Sequence, residues 1–458
     1  MTGIYKRIHF IGIGGAGMSG IAKIFLSLGY EVSGSDLKES EALKRLRNTG
    51  ATVHIGHKAS NISGADIVVL SSAIPTNNPE YIEAIKSHIP VVHRADMLGQ
   101  LMLPKKGIAV SGAHGKTTTT SMIAHILEKN GLDPTIIIGG EVNDIGGNAN
   151  LGKGEFLVAE ADESDGSFLK LKPYIAVITN IEDDHLDYYK NMDNMREAFK
   201  QFIENLKPSG FAVLGTDNEN VRAITKSIKN EFVTYGIHYS ADYMPKNIIM
   251  EGLETHFDLY FKGELLRSFE LNVPGLHNVY NATAAIAVTN KIGIDIDGIF
   301  NALKSFHGVQ RRFQIISKAS DVTIIDDYAH HPTEIKATLE TARACSKAKI
   351  YAIFQPHRYT RTKILADEFG EAFSCADEVI VTKIYSAGEK PIPGVTSQLI
   401  YDAVKKNGNN VTYIENQENI PDYLLKKLKP GDFAITIGAG DINKTAYMLA
   451  QTLREKAL

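Results

Sequence analysis

The chain has 458 residues, and at about 150 residues per domain this length predicts about three domains. Its 49 Lys and Arg residues against 53 Asp and Glu residues leave a net charge of −4, which excludes a general attraction to nucleic acid or anionic membrane. Two cysteines without CxxC spacing exclude a disulfide framework, and no apolar run reaches 18 residues, so we expect a cytoplasmic protein without a signal peptide or membrane segment.

Residues 7–100 alternate short apolar runs with helical patterns, which is typical of a doubly wound parallel sheet. The first run ends in GIGGAG, a GxGxxG pattern, and an aspartate follows at the end of the next run. Such glycines let the backbone approach a diphosphate, and the acid accepts from a sugar hydroxyl. The pattern fits any nucleoside diphosphate, NAD included, and also fits simple helix packing. The candidate residues are Gly12, Gly14, Gly15, Gly17 and Asp36.

A linker at 101–107 precedes a second α/β module, predicted from about 108 to 310. Its apolar runs GIAVSG, FLVAEAD, YIAVITN and FAVLGT predict further strands, and HFDLYFKGELLRSFELNV predicts antiparallel ones. Ligand sites in parallel sheets lie at the carboxyl ends of strands, so we sought chemistry in the loops that follow these runs.

A phosphate-binding loop is predicted where GIAVSG ends, because a glycine turn there carries a lysine and threonines before an amphipathic helix. Amides freed by Gly112 and Gly115 and the helix N-terminus favour an anion, Lys116 reaches phosphate oxygens, and Thr117 can ligate magnesium. The strict GxxxxGK[ST] spacing is not met, because Val110 stands at the first glycine position. The loop is therefore interpreted as a shorter variant that binds a nucleoside triphosphate.

Acidic residues follow the next two strands of this module, in EADESD and in NIEDDH. Magnesium prefers hard oxygen ligands and keeps several waters, so one or two carboxylates near a triphosphate suffice, and a histidine can serve a second ion. Glu160 and His185 are the candidate ligands, together with Thr117. The four aspartates of the two loops are interpreted as solvated, namely Asp162, Asp165, Asp183 and Asp184.

A third alternation begins after HGVQRRF, with VTIIDDY, KIYAIFQ, EVIVTK and DFAITIGAG as buried strands and PTEIKATLETARACS as a helix. Arg358 and Arg361 follow the second of these strands and would share a face if their loop begins a helix, where they could clamp a carboxylate. The histidine loop with His330 is expected on an adjacent strand. Without further evidence, two such arginines are as often simply solvent-exposed as part of a binding site.

One diphosphate site, one triphosphate and magnesium site and one carboxylate clamp, each on its own module, together predict an ATP-driven ligase. The reaction would activate a carboxylate by phosphorylation, and an amine would then displace phosphate through a tetrahedral intermediate. Catalysis would depend on positioning and charge neutralisation more than on covalent groups of the protein.

Over essentially its whole length the chain resembles the Mur ligases of bacterial cell-wall synthesis, and most closely the branch that joins L-alanine to UDP-N-acetylmuramate in peptidoglycan synthesis. The motifs that carry the resemblance are GIGGAGMSGIA, SSAIP, HRADML, GAHGKTTTT, EADESD, NIEDDHLDYY, LHNVYNATAA, GVQRRF, DDYAHHPTEI, QPHRYTRT and YSAGEKPIPG. It implies an N-terminal Rossmann-like domain at 1–104 for the UDP-sugar, a central ATPase at 105–311 with a mainly parallel sheet, and a Rossmann-like domain at 312–458 that closes over the amino acid.

The resemblance also implies site residues. The path of UDP-N-acetylmuramate would take the glycine loop, Asp36, Ser71, Ser72, Ala73 and Arg94. ATP would take Gly112, Ala113, His114, Gly115, Lys116, Thr117 and Thr118, with Asn281 and Asp327 at its nucleoside and Arg312 on its phosphates. Thr117 and Glu160 would hold one Mg²⁺ and His185 a second, while His330, Arg358 and Arg361 match the L-alanine region. Lys200 is interpreted as an ordinary helix residue, although sister ligases carbamylate a lysine in such a helix.

Three other functions are each compatible with part of the sequence. A recycling ligase that attaches an intact tripeptide to the same UDP-sugar shares the phosphate loop, but its EADEYD and EPRSNT segments differ from EADESD and QPHRYTRT here. An NAD-dependent dehydrogenase would leave the phosphate loop and the metal carboxylates without a role. A non-catalytic nucleotide-binding regulator would lack the metal ligands and the arginine pair. The expected oligomeric state is a monomer or a homodimer.

Overall fold

A computed structural model describes residues 5–142 and 147–456, with side chains throughout except at 141, 142, 184, 186, 187 and 456. It has three α/β modules, each built on its own sheet. The chain divides into two compact units, one of residues 1–247, 257–269 and 280–306, the other of 248–256, 270–279 and 307–458. The predicted domain bounds at 104/105 and 311/312 stay predictions. Among the described helices, none combines the length and apolar character needed to cross a membrane.

The N-terminal module is built on a parallel sheet, as the sequence predicted, and its five strands lie in the order β3-β2-β1-β4-β5. Its order reverses between β1 and β4, which is where doubly wound sheets open a crevice for ligands. The strands are β1 (Arg7–Ile11), β2 (Glu31–Asp36), β3 (Thr52–Ile55), β4 (Ile67–Leu70) and β5 (Val91–His93). The helices are α1 (Ala16–Ser27), α2 (Glu41–Asn48), α3 (Pro79–Lys86) and α4 (Arg94–Met102).

The central module has a ten-stranded sheet in the order β15-β14-β13-β12-β11-β10-β6-β9-β7-β8. Its strands are β6 (Lys106–Ser111), β7 (Thr135–Val142), β8 (Gly147–Asn150), β9 (Phe156–Glu160), β10 (Ile175–Ile178), β11 (Phe211–Gly215), β12 (Glu231–Tyr235), β13 (Tyr243–Glu251), β14 (Glu254–Phe261) and β15 (Glu264–Leu271). Its helices are α5 (Lys116–Lys129), α6 (Leu186–Tyr189), α7 (Met192–Glu204), α8 (Glu219–Thr225), α9 (Leu276–Lys291) and α10 (Ile296–Lys304).

The C-terminal module has a six-stranded sheet in the order β16-β17-β21-β18-β19-β20, parallel except for the β16–β17 pair. Its strands are β16 (Gln314–Ala319), β17 (Val322–Asp327), β18 (Ile350–Phe354), β19 (Glu378–Val381), β20 (Val411–Tyr413) and β21 (Phe433–Ile437). Its helices are α11 (Pro332–Cys345), α12 (Tyr359–Ile364), α13 (Ala366–Glu371), α14 (Gln398–Lys406), α15 (Ile420–Leu425) and α16 (Asn443–Lys456).

Continuous apolar runs form the central strands of these sheets. Every residue of β11, β18 and β21 is buried, because a parallel sheet covered on both faces needs apolar side chains at successive positions. The predicted antiparallel stretch is confirmed as the β14–β15 hairpin. Its two turn residues, Lys262 and Gly263, have φ of 49° and 90°, the positive values that a two-residue hairpin turn requires.

Two sequence predictions about these elements were wrong in detail. The linker is shorter than 101–107, because α4 continues to Met102 and β6 begins at Lys106; Pro104, just past the end of α4, cannot continue the helix. The strands before the histidine loop and the arginine pair, β17 and β18, are not adjacent. β21 lies between them, because the last buried run of the sequence inserts at the centre of the sheet.

Candidate nucleotide and ligase site

The phosphate loop lies between β6 and α5 and depends on its two glycines. Gly112 has φ of 134°, and a Cβ there would meet the side chain of Thr179 and the backbone of Asn180. Gly115 is the N-cap of α5 with φ of 84°, and a Cβ there would lie 2.5 Å from Asn281 Oδ1. Both positions combine a left-handed backbone with a close approach, so glycine is required at each.

The loops after β9, β6 and β10 lie side by side because these strands are neighbours in the sheet. After β10, Asn180 Oδ1 accepts from the amide of His114 at 2.9 Å, and Asn180 Nδ2 donates to the His114 carbonyl at 3.0 Å. Thr119 Oγ1 donates to Asn281 Oδ1 at 3.2 Å, which brings α9 to the same loop. Asn281 therefore lies beside the phosphate loop, and its nucleotide-binding role stays a prediction, whereas Asn180 was missed by the sequence analysis.

Lys116 contacts an acid that the sequence analysis missed. Its Nζ lies 2.7 Å from Glu163 Oε1, and it also donates to the carbonyls of Gly112 and Ala113. Burial lowers the pKa of Lys116, but the Glu163 carboxylate outweighs it and holds the pKa above its ordinary value. The sequence did offer one indication of this contact, because Glu163 stands three residues past Glu160 in a loop that follows a strand of the same module.

Of the predicted metal ligands, Glu160 lies at the end of a strand, His185 in a 3₁₀ turn after β10 and Thr117 in α5. Glu160 is the last residue of β9, and its Oε1 accepts from the Gly139 amide at 2.8 Å. His185 Nε2 lies 3.8 Å from Glu163 Oε1. Within the described part of the chain, no group of three or more His, Cys, Asp and Glu residues is arranged to hold a metal ion. One carboxylate with Thr117 fits Mg²⁺ only if nucleotide phosphates and waters supply most of its ligands, which is how Mg²⁺ is commonly bound. The side chain of Asp184 lies outside the described residues.

The glycine loop of the N-terminal module joins β1 to α1 as predicted. Gly12 has φ of 77°, and the Gly14 amide donates to Asp36 Oδ2 at 2.9 Å, so Asp36 supports the loop. A Cβ on Gly17 would collide with the Arg94 guanidinium. Arg94 is therefore packed against the loop predicted to bind a diphosphate, which agrees with its assignment to the UDP-sugar path.

One segment, residues 162–165, contacts candidate residues of both modules. Asp162 Oδ2 accepts from Arg94 Nη2 at 2.8 Å, while the next residue, Glu163, holds Lys116. Ser72 donates to Asp165, and the Ser72 hydroxyl also lies 3.0 Å from His93 Nε2. Asp162 and Asp165 are thus paired, not merely solvated, and the interpretation of these two acids as solvated was wrong. Ser71 and Ala73 lie on either side of Ser72 in the turn after β4.

In the C-terminal module, Asp327 ends β17 and is buried. Its carboxylate accepts from the amides of Phe313 at 2.8 Å and Ala329 at 2.7 Å. Burial raises the pKa of Asp327 to about 6. Arg312 Nη1 lies 3.7 Å from Glu334 Oε1. Any role of Asp327 at a nucleoside would share its oxygens with these two backbone donors.

The predicted clamp is partly assembled. The rings of His330 and His357 are 5.7 Å apart, and Arg361 Nη1 lies 3.2 Å from His357 Nδ1. These groups meet although β21 separates their strands. Arg358 does not share the helix face with Arg361, because α12 begins only at Tyr359 and Arg358 caps it with φ of 70° and an exposed side chain.

Both histidines of the clamp are neutral at physiological pH. Burial lowers the pKa of His330 to about 4 and that of His357 to about 3, helped by the nearby Arg361. His330 Nδ1 donates to the Tyr328 carbonyl at 3.1 Å, so the proton lies on Nδ1 and Nε2 keeps a lone pair. A neutral imidazole with a free lone pair can accept from an ammonium or amine.

Lys200 lies on α7 between two glutamates of its own helix. Its Nζ is 3.5 Å from Glu197 Oε1 and 4.0 Å from Glu204 Oε1. These are ordinary i,i+3 and i,i+4 surface pairs, in keeping with an ordinary helix residue.

Three family models match the chain in succession. They are "Mur ligase family, catalytic domain" at residues 7–106, "Mur ligase middle domain" at 110–289 and "Mur ligase, glutamate ligase domain" at 311–440. A curated relative from Pelotomaculum thermopropionicum, named UDP-N-acetylmuramate–L-alanine ligase, is 52% identical over 452 residues, 98% of each chain.

Two solved structures share the architecture. A UDP-N-acetylmuramate-alanine ligase from Thermotoga maritima superposes with a TM-score of 0.86 at 32% identity, over 98% of this chain and 99% of the other. A murein peptide ligase from Psychrobacter arcticus superposes with a TM-score of 0.72 at 24% identity, over 98% of each chain, and shows the shared fold. From the three matching models and the relative that is 52% identical over 98% of its length, the chain belongs to the Mur ligase family.

Proposed function

We propose that the chain joins L-alanine to the lactyl carboxylate of UDP-N-acetylmuramate, converting ATP to ADP and phosphate. The observation that carries the proposal is the segment 162–165, which contacts Lys116 of the phosphate loop and Arg94 of the glycine loop. Transfer of a phosphoryl group from ATP to the carboxylate of a UDP-sugar requires the two binding sites to be close together. Here Arg94 of one site contacts Asp162, and Lys116 of the other contacts the next residue, Glu163.

The roles follow from charge and position. The lactyl carboxylate attacks the γ-phosphorus, ADP leaves, and Lys116 neutralises charge on the transferring phosphoryl group. Arg94 and the glycine loop hold the diphosphate of the sugar nucleotide. Thr117 and Glu160 would hold one Mg²⁺ and His185 a second, and these ions would supply further charge neutralisation at the phosphates.

The second step would use the C-terminal clamp. Arg361 binds the carboxylate of the amino acid, and the neutral His330 accepts a hydrogen bond from its amine. The amine attacks the acyl carbon, a tetrahedral intermediate forms, and phosphate leaves as the amide bond is made. A cytoplasmic location is part of this proposal.

The test is phosphate release from MgATP with UDP-N-acetylmuramate and, in separate reactions, L-alanine, glycine, L-serine or the L-Ala-γ-D-Glu-diamino acid tripeptide. We expect release that requires both the UDP-sugar and L-alanine. Phosphate release that occurs with the tripeptide and with none of the three amino acids would assign the chain to the recycling ligases. The 52% identity of this chain to an L-alanine ligase disfavours that branch. No release with any pair would refute a ligase function.

A further inference from the structure

The ammonium of Lys116 has no spare donor. A lysine carries three N–H groups and no acceptor. In this structure Nζ has three acceptors, the carbonyls of Gly112 and Ala113 and the carboxylate of Glu163. A phosphate oxygen that is to bind Lys116 must therefore replace one of them.

Of the three acceptors, Glu163 is the one that resembles a phosphate. Its side chain is 3% exposed, and its two oxygens face donors of the phosphate loop. Oε1 lies 2.7 Å from Lys116 Nζ, and Oε2 lies 3.3 Å from Ser111 Oγ and 3.4 Å from the Gly112 amide. A lysine, a hydroxyl and a loop amide converging on one anion are the kind of donors that hold a nucleotide phosphate.

We propose that Glu163 is a positioning residue that serves as the internal counter-anion of the phosphate loop and gives up Lys116 to the nucleotide. It keeps the partly buried ammonium paired while the loop is empty, because an unpaired charge that has lost water is costly. When a nucleotide binds, its phosphate takes the place of the carboxylate at Lys116. This inference rests on the proposed function only in requiring that the loop binds ATP and ADP.

Because the nucleotide must break the contact between Lys116 and Glu163, its binding is weaker by the free energy of that contact. In Glu163→Gln the side chain keeps its shape and one oxygen acceptor but loses its charge, so the nucleotide displaces a weaker partner. We expect the Kd for MgADP to fall about tenfold in this variant, since a charge-assisted hydrogen bond is roughly twice as strong as a neutral one. Glu163→Asp keeps the charge but is one methylene shorter, so its Kd should lie between the two.

The measurement is calorimetric titration of the full chain with MgADP, without UDP-sugar or amino acid, beside thermal unfolding of each variant. Glu155→Gln is the matched control, since Glu155 pairs with Lys106 on the exposed surface and should leave the Kd unchanged. Tighter binding is the discriminating result, because a purely structural role would weaken binding.

An equal or higher Kd in folded Glu163→Gln would overturn the inference. If that variant does not fold, Glu163→Asp decides: a lower Kd supports the exchange and an equal or higher Kd refutes it. A wild-type chain that binds no MgADP would overturn the inference and the proposed function together. Wild-type binding with no tightening in the variants would overturn the inference alone.

Discussion

Lys116 is the residue on which the nucleotide site depends most. It stands at the first position of α5, beside Thr117, and contacts an acid from the neighbouring strand end. We predict that Lys116→Ala lowers turnover by about 10²-fold or more, because the transferring phosphoryl group loses its nearest cation. The measurement is steady-state phosphate release, with circular dichroism to show that the variant is folded. Turnover like that of the wild type in a folded variant would remove Lys116 from the mechanism.

Arg361 is expected to act on the amino acid alone. Its side chain is half-buried beside His357, where a planar guanidinium can bind a carboxylate. Arg361→Ala should raise the KM for L-alanine by roughly tenfold with a smaller effect on kcat, since a ground-state contact is removed. Lys363→Ala, an exposed cation of the same helix, is the control. An unchanged KM for L-alanine would exclude Arg361 from the clamp.

His330 makes a prediction about pH. Burial lowers its pKa to about 4, so no proton leaves its ring between pH 6 and 9. The KM for L-alanine should therefore follow the same pH profile in the wild type and in His330→Gln over that range, even if the variant has a higher KM throughout. Initial rates at saturating ATP and UDP-sugar test this. A wild-type inflection near pH 6.5 that the variant lacks would show that His330 titrates.

At the scale of elements, a buried polar network joins β1, β2 and α3 in the N-terminal module. Glu80 accepts from Ser35 at 2.5 Å, from Asn61 at 2.6 Å and lies 3.3 Å from His9 Nε2. Burial raises the pKa of Glu80, but these hydrogen bonds outweigh it and lower the pKa to about 2. The network fixes α3 against the inner strands β1 and β2 through an ionised, fully buried carboxylate.

A carboxyl group whose pKa is lower in the folded than in the unfolded state stabilises the fold at pH values above its unfolded-state pKa. This stabilisation is lost as the pH falls towards the folded-state pKa. For Glu80, the stabilisation is full above about pH 5 and disappears between the unfolded value of 4.5 and the folded value of about 2. The shift corresponds to about 3 kcal/mol at neutral pH. We predict that Glu80→Gln lowers the thermal unfolding midpoint at pH 7 and that the difference from the wild type narrows towards pH 3. A difference that stays constant or grows on acidification would contradict this.

The loops after strands are the elements that bring the site together. β9, β6 and β10 are neighbours in the central sheet, so EADESD, GAHGKT and the residues after YIAVI meet at one edge. The same rule holds in the C-terminal sheet, although there the two predicted loops flank a third strand. The positions of β17 and β18 along the chain were predicted correctly, but their adjacency was not, because β21 lies between them in the sheet.

On the scale of the whole molecule, the chain has three sheets, and each carries one of the sites proposed for the two nucleotides and the amino acid. The glycine loop in the first sheet carries the pattern of a dinucleotide site, but Arg94, which is paired with Asp162, lies against it. We predict that UDP-N-acetylmuramate raises the thermal unfolding midpoint and that NAD⁺ at the same concentration does not, because only a ligand that binds the native state stabilises it. An equal shift with NAD⁺ would favour the dehydrogenase alternative.

The amino-acid sequence by itself determined the family, the α/β class, the order of strands and helices and most of the residues at the strand ends. These features are local: apolar runs, glycine turns and caps are written in consecutive residues. It did not determine that Glu163 holds Lys116, that Asp162 and Asp165 pair with Arg94 and Ser72, or that β21 separates β17 from β18. Those facts depend on which distant strands become neighbours, and acids in one short run look alike until the sheet order decides which cation each of them meets.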